Sequence, residues 1–245
     1  MCFEPDAVPP PLPSGRAPLP GEDITLTSAD GSQVLAHRVR PDNPNGRAVI
    51  VLPDVRGLYS FYKNLAGAFA AEGFDALALD YFARTADDAN RTGDFDPWPH
   101  VRAAEPKTVR EDIAAAKNEL ASAATYAVGF CFGGSHAFCL SAVDHDFAGV
   151  VGFYGKPYNQ AGSDMSPIEM TDQMKVPVLG LFGGGDSSIP QDIVDAFGEE
   201  MTASGVPHEL HTYPRAPHSF FDRTSDEWAE ACQDAWTRTL SFMSA

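Results

Sequence analysis

The sequence predicts an α/β fold: a mostly parallel central sheet with helices on both faces. Three observations predict it. Short apolar runs such as Ala48–Leu52 (AVIVL) lack polar alternation, as strands buried on both faces require. Segments with helical apolar spacing alternate with those runs through the rest of the chain. A hairpin pattern precedes the alternation.

Taken in order, residues 1–21 hold seven prolines. They can form neither a helix nor a central strand, and are expected to lie as an extended arm on the domain. Ile24–Leu26 and Gln33–Arg40 read as strands around the turn Ala29-Asp30-Gly31. After the strand Ala48–Leu52, Phe61–Glu72 has helical spacing and stops at Gly73. Asp75–Leu79 is a second core strand. Residues 81–107 read as irregular, because Pro97, Pro99 and Pro106 interrupt them. Thr108–Ser122 is a helix that the Thr108 hydroxyl could cap. Then come the strand Thr125–Gly129, the helix Cys131–Ala142, and the strands Gly149–Phe153 and Val178–Phe182. The helix Gln191–Ser204, the strand His208–Tyr213 and the helix Asp226–Met243 complete the pattern. Neither a repeat nor a linker divides residues 22–245, so one domain is expected there.

Composition narrows the function. There are 17 Lys and Arg against 34 Asp and Glu, a net charge of −17. Such a surface repels phosphate backbones and anionic lipid, so neither nucleic acid nor membrane is an expected partner. The four cysteines form no CxxC pair, and no Cys/His spacing suggests a metal site. The first residues carry acid and proline where a signal peptide needs basic and then apolar residues, so a reducing cytoplasm is expected. The expected assembly is a monomer or a weak homo-oligomer.

In open sheets of this type ligands sit beyond the carboxyl ends of the strands. The strand TYAVG runs into Gly129-Phe130-Cys131-Phe132-Gly133, which is G-x-C-x-G. This is the nucleophile-elbow pattern of α/β-hydrolases with cysteine in place of serine. The glycines are required because side chains two residues to either side would collide with a neighbouring strand or helix. The helix N-terminus at Cys131 favours thiolate. A nucleophile needs a base, and the base an orienting acid, in the order nucleophile, acid, histidine. Asp186 follows three glycines at the end of one strand, and His218 lies in the loop after the last. His211 sits within a strand and ranks below His218. Cys139 reads as an inert buried thiol. One oxyanion donor is the N–H of Phe132; the loop Pro53-Asp54-Val55-Arg56-Gly57-Leu58 nominates the N–H of Val55 as the other. Asp54 would then lie beside the sulfur, where it could accept the thiol proton and keep Cys131 neutral at rest.

With these residues in place the chain resembles the dienelactone hydrolase family (carboxymethylenebutenolidases) over roughly residues 22–243. The resemblance rests on LPDVRGL, LDYFAR, GFCFGG, FGGGD and APHSFFDR, in that order. It implies an α/β-hydrolase fold, a Cys-His-Asp triad of Cys131, His218 and Asp186, and hydrolysis of esters or lactones without a cofactor. It also implies an acid that holds the resting thiol, at Asp54, where the family typically has Glu. Two arginines binding a substrate carboxylate are implied at Arg84 and Arg223, the latter one residue further from the histidine than in the archetype. The segment from Asp87 to Lys107, with Trp98 and His100, is expected to shape the substrate pocket. The expected function is therefore a cysteine-dependent hydrolase of lactones or activated esters. A ligand-binding or sensor protein of the same fold with little turnover is the second reading. A full triad argues against that reading, since a pure binder has no need of all three residues.

Overall fold

The most apolar segments of the chain form the middle of one eight-stranded sheet. The computed structural model describes residues 7–86, 91, 95–158 and 166–245. The strands are β1 (Glu22–Thr27), β2 (Gln33–Val39), β3 (Ala48–Leu52), β4 (Asp75–Asp80), β5 (Thr125–Phe130), β6 (Gly149–Phe153), β7 (Val178–Gly183) and β8 (His208–Tyr213). Their spatial order is β1-β2-β4-β3-β5-β6-β7-β8. β1 and β2 are antiparallel to their neighbours, and β4, β3, β5, β6, β7 and β8 run parallel. β3, β5, β6 and β7 are buried along their whole length, which is why their sequences show no alternation.

Parallel strands need crossovers, and helices supply them. These are α1 (Ser60–Ala71), α2 (Trp98–Ala103), α3 (Pro106–Leu120), α4 (Phe132–Val143), α5 (Gln191–Ala203) and α6 (Ala229–Phe242). α1 packs on β4 and β2, α4 on β5 and β6, and α5 on β8. The sheet with its two helical layers is the α/β-hydrolase architecture, and it brings the carboxyl ends of six parallel strands to one edge.

Several elements depart from the sequence expectation. The stretch 81–107 contains α2, and α3 starts at Pro106 rather than Thr108. Proline is tolerated in a helix's first turn, where its missing N–H is not needed, so these prolines start helices as well as interrupt them. Thr108 caps nothing: its hydroxyl donates to the Glu105 carbonyl at 2.9 Å. Residues Pro167–Gln173 form a 3-10 helix that no sequence pattern marked. α6 begins three residues later than Asp226. The described part of the arm, residues 7–21, lies across α6 and α1. Trp236 donates its indole N–H to the Pro10 carbonyl at 3.1 Å, and the Leu19 N–H bonds the Gly67 carbonyl at 3.0 Å. No helix among the described residues is long and apolar enough to cross a membrane.

Candidate active site

The turn from β5 into α4 carries Cys131. Its backbone lies at φ 52°, ψ −109°, a region that non-glycine residues enter only when their surroundings enforce it. The surroundings are tight. A Cβ on Gly129 would sit 2.0 Å from the Gly133 carbonyl oxygen, and one on Gly133 would sit 2.2 Å from the Leu52 carbonyl oxygen. Those clashes would be with backbone, which cannot swing aside. The Cys131 N–H donates to the Phe153 carbonyl at 2.9 Å, tying the turn to β6. Cys131 is half-buried, whereas Cys139 and Cys232 are buried and burial pushes both thiols up to about 12. Cys2 lies outside the described residues. Helix geometry leaves the first N–H of α4, that of Phe132, without an intrahelical acceptor.

The loops after β7 and β8 meet through the Gly185 N–H, which donates to the Ala216 carbonyl at 2.9 Å. This brings Asp186 Oδ2 to 2.5 Å from His218 Nδ1. The other carboxylate oxygen accepts the Ser188 N–H at 2.8 Å and the Ser188 hydroxyl at 2.7 Å. Burial works to raise the Asp186 carboxyl. The His218 hydrogen bond and charge, with the Ser188 bonds, outweigh it and hold Asp186 below its ordinary value. With its Nδ1 held by the carboxylate, the imidazole has Nε2 left to handle protons. The Tyr154 ring packs on it, with centroids 5.0 Å apart. His211 lies on edge strand β8, 3.7 Å from Asp234, and is remote in kind from this arrangement.

The loop after β3 runs alongside the elbow, because Leu52 pairs with Gly129 in parallel register and Pro53 bonds the first turn of α4. Pro53 fixes the loop: its carbonyl accepts the Gly133 N–H at 3.1 Å and the Tyr81 hydroxyl. Asp54 and Arg56 are both buried. Asp54 Oδ1 accepts the Arg56 N–H at 2.9 Å and Nε at 3.1 Å, and Oδ2 accepts Nη2 at 2.7 Å. The same Nη2 also donates to Asp222 Oδ2, which accepts the Tyr59 hydroxyl at 3.2 Å as well. The Arg56 guanidinium lies 3.8 Å from the Tyr59 ring centre. This cluster was not predicted. Its signal is absent from any local pattern, since Arg56 and Asp222 are 166 residues apart.

The remaining predicted site residues are scattered. Arg84 makes four hydrogen bonds away from the elbow: two to the buried Asp112 on α3, and one each to Asp30 and Ser32 in the β1–β2 turn. Its charge is matched by two carboxylates in this arrangement, Asp30 and Asp112. Arg223 is exposed. Trp98 is 54% exposed on α2 and points away from the packed interior. His100 stacks on Phe95 at 5.0 Å and bonds the Thr85 hydroxyl at 2.8 Å. Through Phe82 that group reaches Phe132 at 6.2 Å, next to the elbow. His136 also packs on Phe132, at 4.5 Å, and burial drives its pKa down to about 3, so it stays neutral. Residues 87–90 and 92–94 of the expected pocket segment lie outside the described residues.

The mostly parallel eight-stranded sheet, its two helical layers and the tight strand-turn-helix junction at Cys131 define the α/β-hydrolase class of fold. Residues 34–245 match the model of the Dienelactone hydrolase family, so the chain belongs to that family and acts on ester or lactone bonds. Among curated relatives, the Rhodococcus opacus "Carboxymethylenebutenolidase" is 28% identical over 209 residues, covering 82% of each chain. The Escherichia coli K12 "Putative carboxymethylenebutenolidase" is 27% identical over 234 residues, covering 89% of this chain and 85% of that protein. The crystal structure titled "Putative Dienelactone Hydrolase from Klebsiella pneumoniae subsp. pneumoniae MGH 78578" superposes with TM-score 0.81 at 27% identity. It covers 91% of this chain and 98% of that one.

Proposed function

We propose that the protein is a cytoplasmic, cysteine-dependent hydrolase of small lactones or activated esters that works through a thioester. The observation that carries this reading is the strained turn at Cys131, at φ 52°, opening α4. His218 removes the Cys131 proton through Nε2, and Asp186 holds the imidazole in the tautomer that leaves Nε2 free. The thiolate attacks the substrate carbonyl carbon, forming a C–S bond and a tetrahedral oxyanion. The N–H groups of Val55 and Phe132 stabilise that charge. The oxyanion collapses, the C–O bond breaks, and the leaving alkoxide takes the proton from His218. Water then gives a proton to Nε2 and attacks the thioester. Thiolate departs, the carboxylic acid is released, and His218 returns its proton to the sulfur. Activated esters and lactones suit this chemistry, because a thiolate leaves a tetrahedral intermediate more readily than a plain alkoxide does. Asp54 takes part as the acid beside the resting thiol, its carboxylate shared with Arg56.

A panel of lactones, aryl esters and thioesters, run on the wild type and on Cys131→Ala, tests the reading. Hydrolysis lost in the variant for every substrate is the expected result. Retention of more than about a hundredth of the wild-type rate would move the nucleophile elsewhere, since triad members are worth ~10⁴-fold.

A further inference from the structure

The cluster beside the elbow has an unbalanced charge: one guanidinium faces two carboxylates, all three buried. The two carboxylates are not equivalent. Both oxygens of Asp54 accept bonds from Arg56, side chain and backbone together. Asp222 accepts from Arg56 and Tyr59 on Oδ2 only, while Oδ1 is buried without a hydrogen-bond partner. A buried carboxylate oxygen with no donor is costly in its charged form. Asp54 therefore has the claim on Arg56, and Asp222 carries the residual charge.

We propose that Asp222 is a positioning residue that sets the reactivity of the Cys131 thiol, by governing how much of the Arg56 charge is left to neutralise Asp54. The proposal rests on the reading of Cys131 as nucleophile. When Asp222 is ionised it draws on Arg56, and the cluster beside the elbow is net negative. That field opposes thiolate formation. When Asp222 is neutral, Arg56 and Asp54 balance each other and the opposition disappears. The groups facing Asp222 are Arg56, Asp54 and Tyr59 from the loop after β3, and Tyr154 from the end of β6. Its chain neighbour Arg223 is exposed. The Cys131 N–H bonds the Phe153 carbonyl at 2.9 Å, and the ring of the next residue, Tyr154, packs on His218 at 5.0 Å and on Phe220 at 5.7 Å, in the loop that carries Asp222. Burial raises the Asp222 carboxyl to about 6, against the pull of Arg56 and with the charge of Asp54 adding to the rise. The change in charge therefore falls inside the pH 5–9 window in which thiol alkylation can be followed.

The test is the rate of Cys131 alkylation by iodoacetamide from pH 5 to 9, read by mass on the Cys131 peptide, in the wild type and in Asp222→Asn. Asparagine keeps the shape and an oxygen for Arg56. Above about pH 6 the variant lacks one negative charge that the wild type carries. It should alkylate about three- to tenfold faster, the size of a fall of ~0.5–1 unit in thiol pKa. Below that pH the two profiles should merge. A constant ratio at every pH, or no acceleration, would overturn the proposal. If Asp222→Asn does not fold, His218→Gln supplies a second reading with Asp222 intact and the catalytic imidazole removed. A step near pH 6 in its alkylation profile is then expected, and a single smooth titration contradicts the proposal. Cys131→Ala assayed for hydrolysis in parallel keeps the two questions apart. Retained turnover there removes the nucleophile assignment, whereas unchanged alkylation in Asp222→Asn removes only the role of Asp222.

Discussion

Arg56 and Arg84 are each held between two aspartates, yet they sit in opposite settings. Arg84 joins α3 to the β1–β2 turn, with the exposed Asp30 at its outer end. Arg56 joins the loop after β3 to the loop carrying His218, with both of its aspartates buried. The same chemistry is a strut in one place and a source of field in the other, and burial next to a titratable thiol makes the difference. Water screens the Asp30 end of the outer cluster. In the inner cluster a single charge is felt by every group around it.

This contrast divides the molecule into an inner region, where substitutions change the chemistry, and an outer one, where they change only stability. The sharpest test of the division is histidine. His218→Ala should lower kcat by ~10³–10⁴-fold, and its effect should not add to that of Cys131→Ala, because a triad acts as one unit. Asp186→Ala should follow the same pattern with a smaller loss. His211→Ala on the edge strand should leave kcat within about twofold in the same ester assay. A dead His211 variant beside an active His218 variant would reverse the assignment.

The second test sets the two arginines against each other. Arg56→Met strands two buried carboxylates and should cost about 3–5 kcal/mol of stability, measured by urea denaturation. Arg84→Met leaves one buried partner, Asp112, and an exposed one, Asp30. It should cost less, roughly 1–3 kcal/mol. It should also shift KM equally, or not at all, for a carboxylate-bearing lactone and its neutral methyl ester. A rise in KM confined to the acid would return Arg84 to the substrate site.

The smallest effect expected is at Asp54. Asp54→Asn removes its charge and leaves Arg56 to Asp222. The apparent thiol pKa should fall, and iodoacetamide should react about two- to fivefold faster at neutral pH. An unchanged alkylation profile would end the role of Asp54 in holding the thiol.

The inner region was largely legible in the sequence because its requirements are local. Cys131 needs Gly129 and Gly133 within two residues, and Asp186 and His218 each follow their own strand. Strand ends can be read from apolar runs, and the fold turns strand ends into one edge. What could not be read depends on pairing across the chain. The pairing of Arg84 with Asp112 on α3 and with Asp30 in the hairpin is one such case. Arg56 lies in the loop LPDVRGL, but its second partner is 166 residues away, so no local pattern marks it. α2 was missed for a different reason, since Pro97 and Pro99 resemble breakers when no neighbouring surface is known.

The central claim is that the carbonyl carbon is transferred to Cys131. The direct measurement is rapid acid quenching of the wild-type enzyme during turnover of a p-nitrophenyl ester, followed by peptide mass analysis. The account predicts an acyl adduct on the peptide containing Cys131, removable by hydroxylamine and absent from Cys131→Ala. An acyl group on any other residue, or a burst of p-nitrophenol with Cys131 unmodified, would contradict it.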